Sequence, residues 1–185
     1  MNQIIIRKAV VEDITGVLDL QNQFLLRNAK EKGIEKRGFL VYPVTSKELE
    51  KIISNNLNIL VVAIYEEKIV GYGLAYDWKE WKKIKKEMSI KASDSVKKHL
   101  SKDKILYFRH IARKIEFPGV GELIENKVYD IGKKKGYNAV VGEILEKPIL
   151  NEKSKEVHEK RGFKKIGQVD YKDKNLWGLY EKELE

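Results

Sequence analysis

The order of strand-like and helix-like segments is the feature that most constrains the fold of this chain. Apolar runs with strand character stand at 4–6, 59–65, 69–76, 105–112, 139–144, 163–170 and 175–182. Helical spacing of apolar residues marks 11–28, 122–135, 151–161 and a segment that opens on the predicted capping box Thr45-Ser46-Lys47-Glu48. Strands interleaved with helices in this order predict a mixed α/β (α+β) fold, in which helices cover a sheet.

Length and composition exclude several classes of protein. The chain has 185 residues and 42% of them are hydrophobic, which is enough for one domain with a proper core. It contains no cysteine, so disulfides, thiolate zinc sites and a cysteine nucleophile are excluded. No apolar run approaches the length of a membrane span, and residues 1–7 lack the features of a signal peptide. We therefore expect a cytoplasmic protein with no membrane partner.

The positive charge is concentrated in one segment. The chain carries a net charge of +9, and ten lysines against four acidic residues in 78–104 account for +6 of it. Trp78, Trp81, Ile84 and Met88 stand at helical spacing there, which predicts a basic helical segment whose aromatic rings pack inward. A nucleic-acid partner is therefore not expected. The segment either caps a site for an anionic ligand or presents a solvated lysine face.

The stretch 111–123 joins a predicted strand to a predicted helix through Gly119 and Gly121. Glycines let backbone N–H groups face a ligand at close range, and a helix N-terminus adds partial positive charge. The stretch predicts an anion cradle, with an ordinary strand-to-helix turn as the alternative. A dinucleotide fingerprint is excluded because Ile124 stands where its third glycine is needed, and the chain has no Gly-Lys-Ser/Thr sequence of a nucleotide P-loop.

A polar pattern follows the next predicted strand. Asn151, Ser154 and His158 stand three and four residues apart, and Gly162-Phe163 comes after them. With the order strand, Gly-x-Gly, helix, strand, this pattern resembles the GNAT superfamily of acyl-CoA-dependent N-acetyltransferases, in a branch of undefined substrate. The resemblance implies a mostly antiparallel sheet of six to seven strands, splayed between the strands 105–112 and 139–144, with helices on both faces. It also implies a single domain over 1–185, with the basic helical segment 78–104 as an insertion.

The resemblance implies acetyl-CoA as co-substrate and no metal. The diphosphate would rest on the loop 117–122, and the pantetheine arm would pair with the strand edge at 111–113. The implied cofactor-binding residues are Ile111, Ala112, Arg113, Phe117, Pro118, Gly119, Val120, Gly121, Glu122, Asn151 and Ser154. The chain departs from the family at Glu116, where Gln or Arg is usual. That carboxylate would repel a diphosphate unless it points away or is offset by Arg113 or Lys114.

Three side chains are candidates for catalysis. His158 stands in place of the family's usual tyrosine, so either His158 or Tyr107 would protonate the leaving thiolate. Glu143 ends the strand 139–144 and is the candidate general base for the attacking amine. Each candidate has a structural alternative, which is a solvated helix histidine for His158, packing for Tyr107 and a salt bridge to a lysine for Glu143.

The resemblance implies that the acceptor enters between the loop after the first helix and the last hairpin. Arg37 suits a carboxylate of the acceptor, and Phe39, Tyr42 and Trp177 suit an apolar pocket, with loop packing as the alternative. The expected function is transfer of an acetyl group from acetyl-CoA to a primary amine of a small molecule, peptide or protein, by direct attack in a ternary complex. A non-catalytic acyl-CoA-binding sensor on the same fold is the alternative. The sequence leaves a homodimer, the acyl length and the acceptor open.

Overall fold

The computed structural model describes residues 3–28, 38–102 and 104–184. Its α-helices are α1 (Ile14–Phe24), α2 (Ser46–Ser54), α3 (Trp78–Ile84), α4 (Asp94–Lys102), α5 (Val120–Lys134) and α6 (Glu152–Lys160). Its strands are β1 (Ile5–Lys8), β2 (Ile59–Tyr65), β3 (Lys68–Asp77), β4 (Ser89–Lys91), β5 (Ile105–Arg113), β6 (Ala139–Lys147), β7 (Lys164–Asp170) and β8 (Leu176–Glu183). Within the described ranges, no helix combines the length and the apolar character that a bilayer crossing requires.

The described strands form one sheet in the order β1-β2-β3-β5-β6-β8-β7-β4. The pairs β1–β2, β2–β3, β6–β8, β7–β8 and β4–β7 are antiparallel, and β5–β6 is parallel. The mixed, mostly antiparallel fold class is thus confirmed. The parallel ladder ends where Phe108 lies opposite Gly142, although β5 continues to Arg113 and β6 to Lys147. The pairing of β5 with β6 therefore stops part-way along both strands. These are the two strands between which the resemblance implies a splay.

The sheet has eight described strands, rather than six to seven, because the segment 78–104 is not helical throughout. Its helix α3 begins at Asp77, whose carboxylate accepts the amides of Lys79 and Glu80 at 2.9 and 3.0 Å. The three residues of β4 then pair with β7, with Ile90 opposite Val169, before α4 begins. The helical spacing of the aromatic residues could not reveal this strand, because its hydrogen-bond partners lie about 80 residues away along the chain.

The described residues divide into two compact units. Among the described residues, the first unit comprises 3–28, 40–76 and 109–135, and the second comprises 38–39, 77–102, 104–108 and 136–184. In the first unit, α5 packs against β3 at Gly71, where a Cβ would lie 2.7 Å from Ile124 and 3.1 Å from Val120. Only a glycine lets the helix approach the strand this closely. The predicted capping box is confirmed, since Thr45 and Glu48 exchange side-chain and backbone hydrogen bonds.

The nearly buried side chain of Arg109, on β5, makes three hydrogen bonds within the first unit. Arg109 donates to Glu48 at 3.1 Å, to the Tyr76 hydroxyl at 3.1 Å and to the Pro43 carbonyl at 3.2 Å. The adjacent His110 is 5% exposed. Its Nδ1 lies 3.2 Å from the hydroxyl of Tyr72, which is fully buried. Burial, together with the charge of Arg109, lowers the pKa of His110 to about 3. The ring is therefore neutral in the folded protein at neutral pH.

His110 should make the folded protein less stable as the pH falls. An unfolded histidine has a pKa of about 6.5, so between that pH and about 3 the unfolded state binds one proton more than the folded state. The free energy of unfolding should therefore fall with pH by about 1.4 kcal/mol per unit. We predict that His110→Gln removes about 2 kcal/mol of the loss between pH 6.5 and pH 5, as measured by urea unfolding. A slope in His110→Gln equal to that of the wild type would contradict the prediction.

Candidate active site

The glycine loop between β5 and α5 belongs to the first unit. The loop begins at Lys114, whose amide donates to the carbonyl of Val70 at 2.8 Å. The guanidinium of Arg113 folds back and donates to the carbonyls of Lys114 and Ile115, at 3.0 and 3.1 Å. Arg113 therefore holds the shape of the loop through its carbonyl groups. Glu116, which departs from the family pattern, is exposed in this turn.

The helix α5 begins at Gly119, whose φ of +83° lies in the left-handed region that favours glycine. A Cβ built at Gly119 finds no described heavy atom within 4 Å, so the space beside it is open. Among the described residues, no backbone carbonyl accepts the amides of Gly119 and Gly121. The 15-residue helix adds partial positive charge at this end. The start of α5 therefore has the donors and the field that suit an anionic group.

The loop and the end of β5 contain nine of the eleven residues predicted to hold acetyl-CoA. Phe117 packs against the ring of Tyr65, with their centroids 5.2 Å apart, and Val120 is buried. Gly121 lies against side chains of β5, since a Cβ there would be 3.7 Å from Arg113 and 3.8 Å from Ile111. Pro118 and Glu122 are exposed and Ala112 is buried; Asn151 and Ser154 belong to the second unit. The contacts of all eleven residues with acetyl-CoA stay a prediction.

A carboxylate held by two phenols is the main polar feature of the second unit. Glu143 is half-buried on β6. Tyr107 on β5 donates its hydroxyl to Oε2 of Glu143 at 3.0 Å, and the hydroxyl of Tyr171 lies 2.6 Å from both carboxylate oxygens. The predicted general base and one predicted acid are thus in direct contact. Hydrogen bonds donated by neutral phenols favour the ionised carboxylate without neutralising its charge.

Tryptophan rings surround this carboxylate–phenol cluster, which we define as Glu143, Tyr107 and Tyr171. Trp81 of α3 stacks on Tyr107, with centroids 4.6 Å apart, and its Nε1–H donates to the Tyr171 hydroxyl at 3.3 Å. Trp78 packs on Tyr107 at 5.9 Å, and Trp177 meets Tyr171 edge-on at 6.4 Å. Burial, followed by the charge of Glu143, raises the pKa of Tyr171 well above its usual value. Tyr171 therefore remains a proton donor to Glu143 at neutral pH.

His158, on α6 of the second unit, hydrogen-bonds within its own helix. It is 7% exposed, and its Nδ1 lies 2.7 Å from the carbonyl oxygen of Ser154. A carbonyl only accepts, so Nδ1 carries the proton and Nε2 has the lone pair in the neutral ring. Nε2 faces β6, since a Cβ on Gly142 would lie 3.2 Å from it. Burial lowers the pKa of His158, which disfavours the imidazolium that would serve as a general acid. Its catalytic role stays a prediction.

Asn151 caps α6 and also hydrogen-bonds to the backbone at Phe39. Its Nδ2 donates to the carbonyl of Phe39 at 2.9 Å, and its Oδ1 accepts the amide of Ser154 at 3.4 Å as the N-cap of α6. Of the residues predicted on the acceptor side, Phe39 is buried, Tyr42 is 39% exposed and Trp177 is 8% exposed. Arg37 lies outside the described residues. Of this set, Trp177 contacts the carboxylate–phenol cluster, through the ring of Tyr171.

Sequence reasoning missed Tyr171 and Trp81 as members of the cluster. Local sequence patterns indicated that Tyr171 follows a strand and that Trp81 lies on the buried face of a helix, as the structure has them. No local signal joins them to Glu143, which is 28 residues from Tyr171. Within the described part of the chain, no group of three or more His, Cys, Asp or Glu side chains is placed to hold a metal ion.

Solved structures of other proteins resemble the fold of this chain. No protein-family model and no curated protein matches the sequence. An N-acetyltransferase from Staphylococcus aureus Mu50 matches over 99% of both chains, with 16% identity and a TM-score of 0.62. A GNAT-family acetyltransferase from Streptococcus pneumoniae covers 99% of this chain and 100% of its own, with 17% identity and a TM-score of 0.60. The chain has the GNAT fold.

A third solved structure adds a ligand to this likeness. It is a protein from Salmonella typhimurium assigned as an acetyltransferase and solved with its cofactor acetyl-CoA. It shares 14% identity with this chain, with a TM-score of 0.61, and the match covers 98% of this chain and 94% of the other. The expected GNAT fold is confirmed by these neighbours, whose identities are low enough that they bear on the fold rather than on the acceptor.

Gly119 offers a test of the anion cradle that has a matched control. Gly162 has a similar φ of +87° and, like Gly119, no described atom within 4 Å of a built Cβ. We predict that Gly119→Ala and Gly162→Ala each lose about 1 kcal/mol of unfolding free energy, because alanine is strained in this region. Only Gly119→Ala should weaken coenzyme A binding, by about tenfold, because it moves the amides at the start of α5. Calorimetric titration with coenzyme A measures this, and equal affinities in the two variants would contradict the cradle.

Proposed function

We propose that the protein is an N-acetyltransferase that moves an acetyl group from acetyl-CoA to a primary amine of a small molecule, peptide or protein. The observation that carries this proposal is the half-buried carboxylate of Glu143, held by two phenols in a chain with the GNAT fold. The glycine loop supports it, because its open amides suit the diphosphate of coenzyme A. The acetyl-CoA bound to the Salmonella typhimurium protein supports the same donor.

The residues of the first unit fit the binding of coenzyme A. The left-handed Gly119 opens space beside the amides at the start of α5, which a Cβ would begin to fill. Backbone amides at a helix N-terminus bind phosphate oxygens without placing a lysine beside them. Arg113 keeps the loop in shape through two of its carbonyls, which leaves the amide side of the turn to the ligand. Acetyl-CoA supplies a thioester whose thiolate is a tolerable leaving group, since thiols have a pKa of about 8.5.

Glu143 is proposed as the general base. The nitrogen of a neutral amine attacks the thioester carbonyl carbon, so that a C–N bond forms and the C–S bond breaks. The proton of the attacking nitrogen goes to Glu143, and the electron pair of the broken bond leaves with the sulfur. The two phenols hold the Glu143 carboxylate in place by hydrogen bonds, and its ionised form accepts that proton. Most of the rate then comes from holding the amine beside the thioester.

Tyr107 is the better placed of the two candidate acids. Its hydroxyl already shares a proton with the carboxylate through a 3.0 Å hydrogen bond, so it can pass a proton to the thiolate and recover one from Glu143. His158 is instead neutral, with its Nδ1 proton committed to the Ser154 carbonyl. Tyr107 therefore donates the proton that the leaving thiolate accepts, and His158 has a structural role in packing against β6.

Ligand binding can be tested by thermal shift. We predict that acetyl-CoA and desulfo-CoA raise Tm by about 5–10 °C at about 100 times their Kd, because a ligand bound only to the folded state stabilises it. NAD should have no effect, because the loop lacks the dinucleotide fingerprint. Thiol release over a panel of primary amines then measures turnover. An equal response to NAD would contradict the assignment, and coenzyme A binding without turnover on any amine would favour the sensor alternative.

Replacement of the proposed base tests the mechanism. We predict that Glu143→Gln lowers kcat by about 100-fold or more, because an amide cannot accept the amine proton, with the affinity for acetyl-CoA unchanged. The matched control is Glu146→Gln on the same strand, whose carboxylate pairs with Lys165. The control should keep wild-type kcat. A Glu143→Gln enzyme with wild-type kcat would remove Glu143 from the mechanism.

A further inference from the structure

The contact between Tyr171 and Glu143 indicates a role for Tyr171 that goes beyond packing. Its hydroxyl lies 2.6 Å from both oxygens of the carboxylate, which is shorter than the 3.0 Å bond from Tyr107. Short hydrogen bonds to an ionised acceptor are about twice as strong as neutral ones. Of the two phenols, Tyr171 therefore makes the shorter hydrogen bond to Glu143, and it comes from a turn rather than from a neighbouring strand.

The direction of each hydrogen bond follows from the chemistry of the donors. The indole Nε1–H of Trp81 can only donate, so the oxygen of Tyr171 accepts at 3.3 Å. The single proton of Tyr171 is then available to Glu143. A donated bond from Trp81 also makes the Tyr171 hydroxyl a stronger donor, because consecutive hydrogen bonds polarise one another. The three side chains form a directed chain that ends on the carboxylate.

The turn after β7 holds Tyr171 in place. Asp170 accepts the amide of Lys172 at 2.7 Å, and Asp173 accepts the amide of Asn175 at 2.9 Å, so side chains close both halves of the turn. Lys172 adopts a φ of +57°, which completes the reversal into β8. The ring of Trp177 then meets Tyr171 edge-on. These contacts leave the phenol little freedom to leave the carboxylate.

We propose that Tyr171 is a positioning residue that orients the Glu143 carboxylate and keeps it ionised for its proposed role as general base. The inference rests on the proposed function, but its central claim concerns the ionisation of Glu143 and can be measured without turnover. Among the described residues, Tyr107 from β5 and Tyr171 from the turn donate to Glu143, and its partner across the sheet on β8 is the apolar Leu179. Hydrogen bonds from neutral donors to the charged form lower the pKa of a carboxyl group.

The test compares two phenylalanine variants that each lose one hydroxyl–carboxylate bond. Tyr171→Phe keeps the ring against Trp177 and removes the bond to Glu143. The matched control is Tyr137→Phe, because Tyr137 donates to the carboxylate of Asp77 at 3.0 Å, at the start of α3. Protein labelled with 13C at the glutamate side-chain carboxyl is titrated by NMR. The resonance of Glu143 is assigned as the one that Glu143→Gln lacks.

We expect the titration midpoint of Glu143 to rise by about one unit in Tyr171→Phe and to be unchanged in Tyr137→Phe. In the transferase assay, Tyr171→Phe should lower kcat about tenfold without changing KM for acetyl-CoA, since the base is misoriented and the donor site is untouched. An unmoved midpoint in Tyr171→Phe, or an equal shift in the control, would overturn the proposal. A wild-type protein without transferase activity would instead count against the proposed function, while the titration would still decide the role of Tyr171.

A second variant keeps the test decisive if Tyr171→Phe does not fold. Replacement of Tyr171 by 3-fluorotyrosine preserves the ring, the hydroxyl and the bond from Trp81, and it makes the phenol a more acidic and stronger donor. The titration midpoint of Glu143 should then move downward, opposite to the phenylalanine variant. A midpoint equal to that of the wild type would contradict the proposal.

Discussion

The four-residue parallel ladder between β5 and β6 is the constraint on which the candidate chemistry of the second unit depends. It places Tyr107 opposite Val141, and strand side chains alternate between faces, so Glu143 lies on the same face two residues later. Gly142 lies between Val141 and Glu143 on β6, and because it has no side chain it leaves room for Nε2 of His158. This register thus places the carboxylate beside Tyr107 and turns Gly142 of β6 toward His158 of α6. A shift of one residue would exchange these two surroundings.

Both candidate sites use neutral donors rather than lysines to handle negative charge. Backbone amides at the start of α5 suit a diphosphate, and phenols hold the carboxylate of Glu143. Several lysines of the basic segment instead pair with nearby acids at exposed positions, as Lys83 does with Glu80. Exposed pairs of this kind contribute little free energy and are screened by salt. The large positive net charge is therefore a poor guide to where an anion is bound.

The sequence predicted most elements, and the strand that it missed has a clear physical cause. The hairpin 59–76, the strand at 105 and the helix after Gly119 are all present, because each depends on local periodicity and on glycine or capping signals. In contrast, β4 was predicted as helix, because Trp78 and Trp81 carry a true helical signal that ends at α3. Three residues are too few to show strand periodicity, and their stability comes from β7.

The candidate site divides in the same way. Local sequence alone determined the glycine loop, since left-handed backbone at Gly119 and a helix start are properties of a few adjacent residues. It also predicted a strand that contains Glu143 and a following helix with a histidine, although Glu143 lies in the middle of β6 and not at its end. Only the tertiary structure decided that the hydroxyls of Tyr107 and Tyr171 reach that carboxylate, that Trp81 donates to Tyr171, and that the Nδ1 proton of His158 is donated within its own helix. The physical reason is that hydrogen bonds between side chains 28 to 90 residues apart depend on the register of the sheet, which no local pattern encodes.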